Sequence, residues 1–123
     1  MIFGDLFLED VRRYREENLA KCHMTPVFPL WGMPTRHLAE QMISSGLRSY
    51  ITCVDPHKLD KSFAGREWNR ALLADLPSSV DPCVENGEFH TFACAGPMFR
   101  GPIAVRRGEI VERDGFVFAD LLE

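Results

Sequence analysis

Eleven consecutive residues carry most of the chemistry this chain can offer: Asp81-Pro82-Cys83-Val84-Glu85-Asn86-Gly87-Glu88-Phe89-His90-Thr91. Carboxylates, an amide, an imidazole, a hydroxyl and a glycine crowd a segment that leads into a strand-like run, and loops of this composition are where sites are built. Gly87 lets the backbone come close to a ligand or adopt positive φ. Alternation along a strand puts Glu88 and His90 on one face, so the two could act together. The competing reading is a solvated turn leading into an edge strand. A zinc site from Cys83, Glu85 and His90 is a further alternative, but it uses no recognised ligand spacing.

The elements that must position this loop follow from apolar periodicity. Ile2-Phe3 followed by Gly4-Asp5 reads as the end of a buried strand turning into a helix. Leu8 to Lys21 has helical spacing, with Glu9 and Asp10 in the first turn and Lys21 in the last, which suits the helix dipole. Thr25 to Gly32 is a short strand limited by Pro26 and Pro29. Thr35 is a candidate N-cap for a helix over Arg36 to Ser45, closed by Gly46. Leu47 to Val54 is β-branched and aromatic, as expected for a strand covered on both faces. Alternating strands and helices imply right-handed crossovers and a parallel sheet, with ligands outside the carboxyl ends at Gly4-Asp5, Trp31-Gly32 and Asp55-Pro56. Arg66 to Leu76 reads as a third helix with Trp68, Leu72 and Leu73 inward. Beyond Pro77 the pattern turns β-rich: Glu88 to Cys94, Ile103 to Val105, Glu109 to Arg113 and Phe116 to Phe118 are strand-like, with turns at Gly108 and Asp114-Gly115. The expectation is an α/β chain, with a partial α/β region over 1–76 and a β-rich region over 77–123 that pack as one unit.

Composition narrows the function classes. A chain of 123 residues supports one core, and 46% hydrophobic with 26% charged residues lies far from the regime of disorder. Fourteen Lys and Arg against eighteen Asp and Glu give a formal charge of -4, so no global basic field exists to hold nucleic acid. No apolar run is long enough to span a bilayer, and the acidic N-terminus is unlike a signal peptide, so a cytoplasmic location is expected. Cys22, Cys53, Cys83 and Cys94 contain no C-x-x-C pair and read as reduced thiols, with Cys22 and Cys53 as small hydrophobes in apolar segments. His23, His37 and His57 are isolated from other ligand types.

Several stretches also resemble one family. Phe3-Gly4-Asp5-Leu6-Phe7-Leu8-Glu9-Asp10, Phe28-Pro29-Leu30-Trp31-Gly32, Leu59-Asp60, Ala64-Gly65-Arg66, Glu85-Asn86-Gly87-Glu88-Phe89-His90-Thr91-Phe92 and Arg113-Asp114-Gly115-Phe116 occur in the order seen in the diphthine-ammonia ligase family, a group also described as N-type ATP pyrophosphatases or adenine nucleotide alpha hydrolases. The E-N-G-E-F-H-T stretch is the most specific element, matching an E-x-G-E-[FY]-x-T motif in the C-terminal region of members. The resemblance implies a Rossmann-like, HUP-type parallel sheet followed by a small C-terminal region. It implies an AMP-forming amide ligase, in which ATP with Mg²⁺ activates a carboxylate and ammonia displaces AMP. A protein substrate is implied in part of the family, where the diphthine side chain of an elongation factor is amidated. On this reading Glu85, Glu88 and His90 are the catalytic candidates: the carboxylates recognise a cationic nucleophile and His90 shuttles a proton. Asn86, Gly87 and Thr91 bind substrate. Gly4, Asp5 and Trp31, at strand ends, line the nucleotide pocket, although Asp5 reads equally well as a helix N-cap.

Two departures stand out. The family's Ser-Gly-Gly-x-Asp-Ser phosphate loop has no counterpart, since no Gly-Gly pair exists in the chain. Val84 stands where members usually carry Gly, and a β-branched residue would be strained there if positive φ is required. The expectations are therefore the substrate-binding C-terminal portion of such a ligase, working with an N-terminal partner segment or as a homo-oligomer through an uncovered sheet edge, or a catalytically inactive relative serving as a binding or structural module.

Overall fold

Glu9 and Asp10 open the first helix, where carboxylates complement the exposed N–H groups of the first turn. A computed structural model describes all 123 residues, and in it this helix, α1, runs Glu9–Ala20 and buries only Leu19. The second helix, α2 (Thr35–Ser44), begins at its expected cap, one residue earlier than Arg36. Pro34 occupies the N-cap position and Thr35 is already helical, so no side chain caps the helix. Gly46, at φ +94°, turns the chain out of it. Strand β1 (Arg48–Val54) follows, then a 3-10 turn at Lys61–Phe63 capped by the Asp60 carboxylate, and helix α3 (Arg70–Asp75). Strands β2 (Phe89–Ala95), β3 (Arg106–Arg113) and β4 (Phe116–Leu122) complete the chain.

The chain is α/β, but its sheet is antiparallel, in the order β2-β1-β4-β3. The parallel arrangement expected around β1 is corrected by its ladders: β2 pairs along one edge, and β4 pairs at Cys53 and Val54 on the other. What remains of parallel pairing is a single bridge between Ile2 and Val27. Pro26 and Pro29 flank that bridge and remove backbone donors, which is why Thr25 to Gly32 breaks into turns rather than extending as a strand. The rest of the second edge of β1 is taken by residues 65–68. Gly65 N donates to Ile51 O, Ile51 N to Arg66 O, and Trp68 N to Ser49 O. These bonds hold 65–68 extended, so α3 starts at Arg70 and not at Arg66, with the Asn69 side chain accepting from Leu72 N as its cap.

Asp114 and Gly115, at φ 53° and 81°, form the two-residue turn between β3 and β4, matching the positive-φ pair that tight hairpins require. Gly108 is not a turn. It lies inside β3 at a register shift, where a Cβ would sit 3.1 Å from that of Asp120. Ile103 to Val105 forms no strand, although Ile103 N donates to Cys94 O.

One face of the sheet carries the core. Ile51, Val54, Phe89, Val117 and Ala119 pack with Leu72 and Leu73 of α3, Trp68, and Ala39 of α2. No helix is long and apolar enough to cross a membrane.

Candidate functional site

Between Val80 and β2 the chain folds the Asp81–Glu88 loop back on itself. Val84 N donates to Asp81 O and Gly87 N to Val84 O, both at 3.0 Å, so two consecutive turns stack the loop. The Asp81 carboxylate fastens the first turn, accepting from Cys83 N at 3.1 Å and Glu85 N at 3.0 Å through Oδ2. Three other parts of the fold hold the loop from outside. Trp68 Nε1 donates to Pro82 O at 3.1 Å, Lys58 Nζ to Asn86 O at 2.8 Å, and Asp55 N to Glu88 O at 3.0 Å. The Asp55 carboxyl is itself held below the usual carboxylate range by the His57 backbone N–H. Asp55 stands at the Asp55-Pro56 strand end, one of the expected ligand positions, whereas nothing in the sequence marks Trp68 and Lys58 as holding this loop.

Glu88 is the unusual member of the loop. It is 2% exposed, and its Oε1 accepts from Asp81 N at 2.9 Å and Asn86 Nδ2 at 3.4 Å. Its Oε2 is buried and has no hydrogen-bond partner. A buried carboxylate oxygen without a donor is costly, and such an atom marks a place where a donor from elsewhere would be stabilised.

The other candidate residues are distributed around it. Glu85 Oε1 accepts from Leu6 N at 2.7 Å and Phe7 N at 3.4 Å, tying the loop to the N-terminal segment. Asn86 and Gly87 are exposed, Gly87 at φ +70°. His90 and Thr91 are exposed on β2, opposite Cys53 and Ile51. Thr52 Oγ1 donates to His90 O, and His90 borders a groove of about 780 Å³ on the open face of the sheet with Cys53, Val111, Phe116 and Phe118. Glu88 precedes β2 and turns inward, so the expected common face with His90 is not formed and no hydrogen bond joins them. Cys83, Glu85 and His90 do not converge either. The thiol donates to Thr35 O, Glu85 faces Leu6, and no group of three His, Cys, Asp or Glu is arranged to hold a metal ion.

At the N-terminal end, Asp5 is not a helix cap. Arg15 grips both of its oxygens through Nε and Nη2, and the N-cap position belongs to Leu8. Trp31 packs edge-on to Phe28, with the Arg12 guanidinium over both rings. Gly4 has open space around it. The phosphates of ATP find no free donors at this turn: the N–H groups of Leu6 and Phe7 that follow Gly4-Asp5 are already taken by the Glu85 carboxylate, and the Arg15 guanidinium is engaged by Asp5.

Val84 sits at φ 66°, in the left-handed region that a β-branched residue enters only under strain. Relief of that strain is worth about 1–3 kcal/mol, while glycine gives back about 0.5–1 kcal/mol in chain entropy, and Val84 is partly buried against the core. Val84→Gly is therefore expected to raise stability by about 1 kcal/mol or less. A urea midpoint clearly below that of the parent chain would show that Val84 packing outweighs its backbone strain.

Burial pushes the Cys83 thiol up to about 12, with Asp81 and Glu85 adding to the effect. The folded state then keeps a proton that the unfolded chain releases, so this contribution to stability is present below about pH 9 and is lost as pH rises towards 12. Stability measured across that window should fall less steeply in Cys83→Ser. Cys22 is exposed, contrary to its expected burial as a small hydrophobe, because it lies in the turn that ends α1. With a limiting thiol reagent at pH 8, Cys22 should be modified before Cys83.

A family model described as the diphthamide synthase C-terminal domain matches residues 34–120, from the start of α2 almost to the end of β4 and including the whole Asp81–Thr91 segment. Diphthine--ammonia ligase of Bos taurus is 33% identical over 118 residues, covering 91% of this chain and 44% of that protein. The proteins of the same name from Danio rerio and Homo sapiens are each 33% identical over 120 and 121 residues, covering 91% of the chain and 46% and 44% of their own lengths. The chain thus spans a little under half the length of these relatives. With the fold, the loop and most of the chain inside the matched span, the chain belongs to the diphthamide synthase C-terminal domain family.

Proposed function

We propose that this chain is the substrate-side portion of an ATP-dependent, AMP-forming amide ligase that converts a carboxylate, ATP and ammonia to an amide, AMP and pyrophosphate. The observation that carries the reading is Glu88 Oε2, a buried carboxylate oxygen without a donor, at the centre of a loop held from several sides. Ammonium offers four N–H donors and a charge opposite to that of the carboxylate. A carboxylate that binds it orients the nitrogen and can take the proton it must lose before it attacks an acyl carbon. Glu85 holds the loop to the N-terminal segment. Asn86 and Thr91 supply neutral hydrogen bonds to the acyl substrate, Gly87 gives access to the backbone, and His90 relays a proton towards solvent.

The ATP phosphates, with Mg²⁺, lie on this reading in the half of the ligase architecture that this chain does not span. The Ile2–Val27 bridge supports the same division. Its side chains are exposed, and one parallel bridge is far too little to stand as a sheet. It is the margin of a Rossmann-like parallel sheet supplied by a further segment or by a partner chain. Four free thiols suit a reducing, cytoplasmic setting. A second reading, a catalytically inactive binding or structural module, is favoured by the occupied Leu6 and Phe7 donors.

The test is an NMR titration of the chain with ammonium chloride, with potassium chloride as the control, following the Glu88 side-chain carboxyl carbon. A saturable shift with ammonium alone is expected; no difference between the salts overturns the ammonium role and favours the inactive module. Calorimetry with ATP and Mg²⁺ on the chain alone should show no saturable binding, and clear binding would overturn the assignment of the phosphates to the missing half.

A further inference from the structure

Asp81 is hydrogen-bonded to both glutamates of the loop. Its carboxylate Oδ2 accepts from Glu85 N at 3.0 Å and from Cys83 N at 3.1 Å, while its own N–H donates to Glu88 Oε1 at 2.9 Å. Glu85 in turn is anchored to Leu6, 79 residues away in sequence. A single acidic side chain therefore sets where the backbone of residue 81 stands, and through that backbone it sets which oxygen of Glu88 is satisfied and which is left open. We infer that Asp81 is a positioning residue: it keeps Glu88 Oε1 engaged so that Oε2 alone is presented to a cationic ligand. The inference rests on the reading of Glu88 Oε2 as an ammonium site.

The geometry also distinguishes positioning from mere support of the loop. Trp68 and Lys58 fasten the loop through carbonyl oxygens of Pro82 and Asn86 and leave the Glu88 carboxylate untouched. Only Asp81 and Asn86 reach that carboxylate, and Asn86 does so at 3.4 Å from an exposed side chain. Loss of the Asp81 acceptor should free the Cys83 and Glu85 N–H groups, let residue 81 move, and allow either oxygen of Glu88 to turn towards other donors.

The experiment repeats the ammonium titration in Asp81→Ala and Asp81→Asn, with the Glu88 carboxyl carbon as the spectroscopic readout. Asn keeps a side-chain oxygen for the two N–H groups, so D81N should bind ammonium within about twofold of the parent chain, whereas D81A should bind at least about tenfold more weakly. Equal affinity in D81A and the parent overturns the inference, and so does D81N as weak as D81A. A parent chain that shows no ammonium response overturns instead the Glu88 reading on which the inference stands. Should D81A not fold, Asp81→Ser, with a shorter acceptor, is expected to be intermediate, and unchanged affinity in D81S overturns the inference in the same way.

Discussion

Trp68→Ala is expected to remove about 3–5 kcal/mol of stability, the usual cost of truncating a buried indole. Trp68 is 5% exposed and packs in the core with Ile51, Leu72 and Phe89. A domain of this size holds only about 5–15 kcal/mol in all, so the variant should be substantially unfolded in mild urea. The effect extends beyond packing, because the same side chain donates its N–H to Pro82 O at the start of the Asp81–Glu88 loop. Trp68→Phe separates the two contributions. It keeps most of the apolar volume, should cost about 1–2 kcal/mol for the lost bond and the smaller ring, and should speed amide exchange at Cys83, Val84 and Gly87 more than at the β1 strand. Urea denaturation followed by circular dichroism measures the first effect and exchange by NMR the second. A shift for Trp68→Ala no larger than that of a surface substitution would mean that Trp68 does not join the core to the loop.

The features legible in the sequence are those decided within a few residues. The acidic start of α1, the strand-like composition of β2 and the Asp114-Gly115 turn are each local, and each element forms. The loop at Asp81–Glu88 was legible by composition for the same reason. What escaped was decided by partners far along the chain. The parallel sheet was inferred from the order of strands and helices, whereas β1 is paired by β2 and β4, which lie more than thirty residues later. Residues 66–68 satisfy a helical pattern, yet β1 offers them a strand edge, and the backbone bonds with Ser49 and Ile51 outcompete a first helical turn. Asp5 lies at an expected strand end, yet Arg15, 10 residues on and inside α1, closes on it. The inward turn of Glu88 is decided nearer at hand, within its own loop. Alternation assigns it to the face of His90, but β2 begins only at Phe89, and ahead of the ladder the Asp81 N–H draws the carboxylate inward.

Glu88 also supports the sharpest separation of stability from function. Glu88→Ala should cost about 2–3 kcal/mol: the Asp81 N–H loses its acceptor inside the protein, and one buried methylene and a carboxylate leave a void. Release of a desolvated carboxylate offsets part of that cost but cannot supply an acceptor. Glu88→Gln behaves differently. Its amide oxygen can take the Asp81 N–H while its NH₂ occupies the position of Oε2, so the fold loses a buried charge and keeps its hydrogen bond. Stability of E88Q should lie within about 1 kcal/mol of the parent or above it, and yet ammonium should no longer perturb the loop, since a donor now stands where an acceptor is needed. Urea denaturation of both variants, together with amide shifts of Asp81 and Asn86 in ammonium chloride, tests the two statements at once. If E88A proves as stable as E88Q, the Asp81 bond does not hold the loop; if E88Q still responds to ammonium as the parent does, the ligand is not read by Oε2. The outcome in which E88Q is stable and silent would assign the unpaired oxygen to ligand binding, because a carboxylate kept only for structure would be replaced by the amide without any loss of response.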